Sequence, residues 1–182
     1  MRRFLTVLAM ISLVVFASVP ALAGVKLGNP QVGQAAPGFH LQDQNGHWRT
    51  PVDYHGRWLV LYFYPKDFTP GCTTEVCAFR DSIVKLRQAG ADVVGISLDD
   101  VKSHTEFAAK YHVPFPLLSD ANRQVAINYG VLTSAVGIHF AKRTTFLIDP
   151  NGKIAKIYRD VDPEKNSAQV LSDLDTLKKA FH

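Results

Sequence analysis

The chain has 182 residues, 47% of them hydrophobic and 20% charged, with 20 Lys and Arg against 16 Asp and Glu for a net charge of +4. Its basic residues form no stripe beyond the pairs Lys142-Arg143 and Lys178-Lys179, so the concentrated footprint of a nucleic-acid binder is missing. Two cysteines and seven dispersed histidines make neither an HExxH motif nor a close Cys/His cluster, and no glycine pattern fits a phosphate loop, a dinucleotide loop or a nucleophile elbow. Neither a metal nor an organic cofactor is expected.

Arg2 and Arg3 precede an uncharged, mostly apolar stretch from Phe4 to Val19, and Ala21-Leu22-Ala23 follows before Gly24. This is the layout of a secretory signal peptide, and the apolar part is short for a spanning helix. Cleavage after residue 23 would remove two basic residues and no acidic ones, leaving a single domain over 24–182 with net charge +2. That length is enough for a substantial core. The expected location is outside the cytoplasm, in the periplasm. For such a chain the plainest reading of two cysteines is a structural disulfide.

Glycines and prolines between Gly24 and Pro37 argue for an extended lead-in. Phe39 and Leu41 alternate with polar residues, Asp43-Gln44-Asn45-Gly46 supplies a turn, and His47 to Val52 reads as the return strand of a hairpin. Trp58 to Tyr64 is an unbroken apolar run, the mark of a buried strand, stopped by Pro65. A helix is expected over 72–88, then a strand at 92–97 and a second helix from about Lys102 carrying Phe107, Ala108 and Tyr111 inward. A short extended piece ends at Leu118, and a weaker helix runs from Asn122 to Tyr129. Residues 132–142 show no clear period and read as a loop. The segments 144–148 and 154–158 flank Asp149-Pro150-Asn151-Gly152 as a hairpin, and a helix from Ser167 to Phe181 closes the chain. That helix places Val170, Leu171, Leu174, Leu177 and Phe181 on one face. Trp48 and Trp58 are expected in the core, and His104 and His112 as surface or satisfied core residues. The order implies an α/β chain of thioredoxin-like fold, a central mixed sheet flanked by helices with an N-terminal β-hairpin added.

The chemistry concentrates between Tyr62 and Asp81. Thr69 reads as a helix N-cap with Pro70 at the first helical position. Cys72, Val76, Phe79, Ile83 and Leu86 then share one helix face, which puts Cys72 in the first turn, facing the core. Unsatisfied N–H groups and the positive end of the helix dipole stabilise an anion there, and the thiolate is the reactive form of cysteine. Cys77, five residues on, would be rotated by about 140° and raised by about 7.5 Å in a regular helix. The two Cα atoms would stand roughly 8.7 Å apart, beyond the ~7 Å reach of a disulfide. The cysteines can pair only where that helix is absent or unwinds.

The run Pro65-Lys66-Asp67-Phe68-Thr69-Pro70-Gly71-Cys72 resembles the Pro-x-x-x-Thr/Ser-x-x-Cys signature of peroxiredoxins, and the longer YPKDFTPGCTTEVCAFRD is similar to the peroxiredoxin Q, or bacterioferritin comigratory protein, group. GISLDDVKSHTEFAAKY, PFPLLSD, VAINYGV and RTTFLIDPNGKI follow in matching order, so the resemblance covers about Gly33 to Arg159. It implies that Cys72 is the peroxidatic cysteine, which attacks the peroxide O–O bond and becomes a sulfenic acid. It implies further that Thr69 hydrogen-bonds the peroxide, that Pro65 shields the pocket from water, and that Arg143 holds thiolate and peroxide. Cys77 matches a resolving cysteine found in part of the group. The expected substrates are hydrogen peroxide and alkyl hydroperoxides, the expected reductant is a thioredoxin-like protein, and a resolving cysteine in the same chain requires no dimer. Two alternatives stand beside this reading. One is a thiol–disulfide oxidoreductase, against which the lack of a CxxC pair argues, as does the lack of a proline just before 144–148. The other is a non-enzymatic exported domain stapled by a Cys72–Cys77 bridge.

Overall fold

A computed structural model describes residues 28–181, so the expected leader at 1–23 lies outside the described residues. In chain order the elements are β1 (Leu41–Asp43), β2 (Trp48–Arg49), a 3-10 turn (Pro51–Tyr54), β3 (Trp58–Phe63), α1 (Pro70–Gln88), β4 (Ala91–Ser97) and α2 (Val101–Tyr111). They continue as β5 (Leu117–Ser119), α3 (Gln124–Asn128), β6 (Leu132–Ala135), β7 (Ile138–Ala141), β8 (Thr144–Ile148), β9 (Ile154–Arg159) and α4 (Asn166–Phe181).

Seven strands form one sheet in the order β2-β1-β5-β4-β3-β8-β9. β3 pairs parallel to β4 and antiparallel to β8, and β4 pairs parallel to β5, which makes the sheet mixed as expected. The apolar run of β3 is buried at every position because both of its faces are covered. Val60, Tyr62 and Tyr64 face a core shared with α1, α2 and α4. Leu59, Leu61 and Phe63 face a second core with Phe39, Tyr54, Val125 and Tyr129. β3 therefore ends at Phe63 in the middle of the sheet, and the chain passes Pro65 and a short loop before α1 begins at Pro70.

Several expectations change. Residues 132–142 are not a loop: β6 and β7 form a two-stranded hairpin turning at Val136 and Gly137, both at positive φ. Its residues are half-buried or exposed except Ala141, so no alternation toward a core marks it in the sequence. The return strand at 47–52 shortens to two residues followed by the 3-10 turn, and α3 contracts to five residues. Trp58 is buried, but Trp48 is 58% exposed. Trp48 lies on the two-residue edge strand β2, where it stacks on His40 with ring centroids 4.4 Å apart. α4 buries Val170 and Leu174 and half-buries Leu171 and Leu177, while the side chain of Phe181 lies outside the described residues.

Candidate active site

α1 begins where the sequence places its cap. Thr69 is extended, with φ −76° and ψ 148°, and Pro70 takes the first helical position. The Thr69 hydroxyl, however, donates back to the Lys66 carbonyl oxygen at 2.9 Å and caps no helix N–H. Cys72, the third helical residue, is 2% exposed and points at the core.

Arg143 comes from the opposite side, one residue before β8. Alternation along that strand sends Leu147 into the α1 side of the sheet and Phe146 and Ile148 into the other, so Thr145 and Arg143 share the α1 side. The Arg143 guanidinium donates from Nη2 to Cys72 Sγ at 3.3 Å and from Nη1 to Glu75 Oε2. Glu75 follows Cys72 by three residues on the same helix face and is fully buried. Its other oxygen, Oε1, accepts from Asn166 Nδ2 at 2.9 Å, and Asn166 Nδ2 also donates to Thr145 Oγ1 at 2.7 Å. Asn166 is the first residue of α4. The thiol is thus held by a chain of contacts running through β8, α1 and α4.

Burial pushes the Glu75 carboxyl up, against the lowering influence of Arg143 and Asn166. Burial works against the charge of Arg143 too, but the Glu75 carboxylate and the Cys72 sulfur hold its guanidinium above its ordinary range. Gly71 keeps this arrangement close: a Cβ there would stand 3.2 Å from Arg143 Nη2. Any larger residue would press on the guanidinium.

Pro65 lies half-buried at the end of β3 and lines a shallow groove with Lys66, Leu98, Asp99 and the β7 residues Ile138, His139 and Phe140. The 65–69 loop is fastened underneath by Asp67. Asp67 accepts from Tyr64 Oη at 2.8 Å and Ser103 Oγ at 2.7 Å, contacts His104 Nδ1 at 2.8 Å, and offers its backbone N–H to Asp99 Oδ2 at 2.9 Å. His104 is therefore not simply a satisfied core residue, because its buried Nε2 has no partner among the described residues. His112 is exposed at the end of α2, as expected. Phe68 adopts φ 61°, a conformation costly for a residue with a Cβ, and its ring packs edge-on to Phe107 with centroids 5.1 Å apart.

Cys77 is a free, half-buried thiol on the unbroken helix α1, packed against the same core as Cys72. Of the residues expected from sequence, Cys72 and Arg143 touch, Thr69 sits at the helix cap, Pro65 bounds the loop, and Cys77 stands more than one turn away. Sequence reasoning missed Glu75, Asn166, Asp67 and Gly71. Glu75 had a signal, a carboxylate on the helix face otherwise occupied by Cys72, Val76 and Phe79. Asn166, 91 residues from Glu75, had none. The C-terminal helix, which reads as generic in sequence, supplies it. Among the described residues no group of three His, Cys, Asp or Glu side chains is placed to hold a metal ion.

Comparison with known proteins gives one family. Residues 32–157 match the AhpC/TSA family. The chain is 43% identical over 165 residues to peroxiredoxin Q, chloroplastic, of Oryza sativa subsp. japonica, covering 88% of this chain and 76% of that protein. It is 44% identical over 158 residues to the Arabidopsis thaliana protein of the same name, covering 86% and 73%. Among solved structures, peroxidoxin BcpB of Mycobacterium tuberculosis superposes with a TM-score of 0.76 at 34% identity, over 81% of this chain and 98% of that one. Xanthomonas campestris peroxiredoxin Q gives 0.72 at 36% identity, over 76% and 90%. The family match, these identities and the shared fold agree with one another: the chain belongs to the AhpC/TSA family, in its peroxiredoxin Q group, and is a thiol-dependent peroxidase.

Proposed function

We propose that Cys72 reduces hydrogen peroxide and small alkyl hydroperoxides and that Cys77 resolves the product within the same chain. The observation that carries this is the contact of Arg143 Nη2 with Cys72 Sγ in the first turn of α1. The guanidinium and the helix N-terminus set positive charge beside the sulfur, and a cysteine attacks as its thiolate. The thiolate attacks one peroxide oxygen: an S–O bond forms, the O–O bond breaks, and the departing oxygen leaves as hydroxide or alkoxide and takes a proton from water. Negative charge moves from sulfur to that oxygen, so a fixed cation beside both stabilises the transition state. Thr69 is suited to hydrogen-bond the peroxide, and Pro65 to exclude water from the loop.

The sulfenic acid then condenses with the Cys77 thiol, giving a disulfide and one water. In the intact helix the Cα atoms stand roughly 8.7 Å apart, so the first turns of α1 must open for this step. A thioredoxin-like dithiol returns both cysteines to thiols by exchange and is itself oxidised. We also propose that residues 1–23 direct export to the periplasm, which detection of a mature chain starting at Gly24 in that fraction would test.

The test is peroxide consumption by the 24–182 chain with excess dithiothreitol, beside Cys72→Ser and Cys77→Ser. Turnover lost in Cys72→Ser, and retained or weakened in Cys77→Ser, is the expected result. Equal background rates in all three proteins would end the reading and favour an inert domain.

A further inference from the structure

We propose that Asn166 is a positioning residue that governs when the first turns of α1 open, and so how the Cys72 sulfenic acid divides between disulfide formation and further oxidation. The inference rests on the peroxidase reading above. Asn166 is 1% exposed, and both of its side-chain hydrogen bonds are made by Nδ2, to Glu75 Oε1 and Thr145 Oγ1. Its Oδ1 is buried and has no partner among the described residues. A buried acceptor left unpaired is costly and persists only where the surrounding geometry fixes it. Here the fixed requirement is an amide donor aimed at a buried carboxylate.

Glu75 lies between the two cysteines. Opening α1 far enough to join them withdraws its carboxylate from Asn166 and from Arg143 together. The apolar contacts of that segment come from Cys72, Val76 and the half-buried Cys77, whereas Phe79, Ile83 and Leu86 secure the remainder of the helix. The Ser82–Ser167 hydroxyl contact at 3.2 Å continues the seam between α1 and α4, but beyond Cys77. Asn166 is therefore the point at which α4 clasps the segment that must open.

Two reactions compete for the sulfenic acid. Condensation with Cys77 needs the open helix and releases water. A second hydroperoxide acting on the closed helix oxidises the sulfenic to a sulfinic acid and releases the alcohol, or water from hydrogen peroxide. A tighter clasp holds the arginine on the sulfur but lengthens the exposure of the sulfenic acid. A looser clasp does the reverse.

The test uses Asn166→Ala and the equal-sized Asn166→Asp, which carries the experiment if the alanine variant does not fold. In the reduced proteins, amide exchange across 72–77 should quicken roughly tenfold or more, the factor contributed by a hydrogen bond to a charged group. Exchange beyond Phe79 should be unchanged. The peroxide concentration giving half-conversion to sulfinic acid, read by mass spectrometry, should rise by a similar factor. Unchanged exchange at 72–77 and an unchanged sulfinic yield in a folded variant would overturn the clasp. Exchange needs no turnover, so an inactive wild-type protein would refute the assignment of Cys72 while leaving the clasp testable.

Discussion

Replacing Arg143 with Met should separate the structural role of this arginine from its chemical one. The substitution keeps most of the side-chain volume but leaves the Glu75 carboxylate, whose side chain is 1% exposed, without its cation. Removing one partner of a buried pair costs about 3–5 kcal/mol, and Asn166 still donating to Glu75 favours the lower end. The loss must depend on pH. Burial already raises the Glu75 carboxyl above its ordinary value of 4.5, and Arg143 opposes that rise, so in the variant it goes higher. A carboxyl raised in the folded state binds a proton that the unfolded chain has released. Its contribution to stability is fully present below about 4.5 and is lost as pH climbs through the folded value. Arg143→Met should therefore lose more stability at pH 8 than at pH 5, measured by urea unfolding against the wild type. The missing Nη2 contact with the thiolate, about 1.5–3 kcal/mol for a charge-assisted bond, should also lower kcat/KM for peroxide roughly 10- to 150-fold. A loss under about 1 kcal/mol at pH 8, or one equal at both pH values, would refute the buried-pair argument.

Three further outcomes are expected. Oxidation to the Cys72–Cys77 disulfide should remove amide protection across about residues 70–80; equal protection in both redox states would mean that the helix does not open. Gly95→Ala would place a Cβ 2.7 Å from the Tyr62 ring and 2.9 Å from Leu117, so urea unfolding should show a loss of about 1–3 kcal/mol from overpacking. Asp67→Ala would strip the acceptor from Tyr64, Ser103 and His104 beneath the 65–69 loop. It should cost at least about 1–3 kcal/mol, with faster amide exchange at Phe68 and Thr69, and an unaltered loop would contradict the role of this network.

The parts of the fold legible in the sequence are those that bury one regular face. β3, α1, β4 and α4 declare themselves through continuous or periodic apolar residues, and their observed ends fall close to the expected ones. The β6–β7 hairpin was illegible because it packs too little surface to impose a period, although Val136-Gly137 supplied a turn. At Trp48 hydrophobicity does not indicate depth, because a two-residue edge strand leaves this side chain in water. At the site, Cys72 could be located from helix periodicity and Arg143 from the motif resemblance. The Glu75–Asn166–Thr145 connection joins residues far apart in the chain, and a lone asparagine at a helix start reads in sequence as no more than a cap.

The sheet also divides the molecule into two territories open to different kinds of sequence change. Cys72 and the α1 start lie wholly on one side, with Val60, Tyr62 and Tyr64, whereas Leu59, Leu61 and Phe63 pack on the other with Val94, Tyr129 and Phe146. A repacking on the second side reaches the sulfur through strand backbones that are hydrogen-bonded along both edges of β3. Heat tolerance can therefore be improved there, by filling space around Tyr129 for instance, with little effect on how fast peroxide is consumed. The same freedom does not extend to the α1 side, where a neighbour of Cys72 alters packing and reactivity at once.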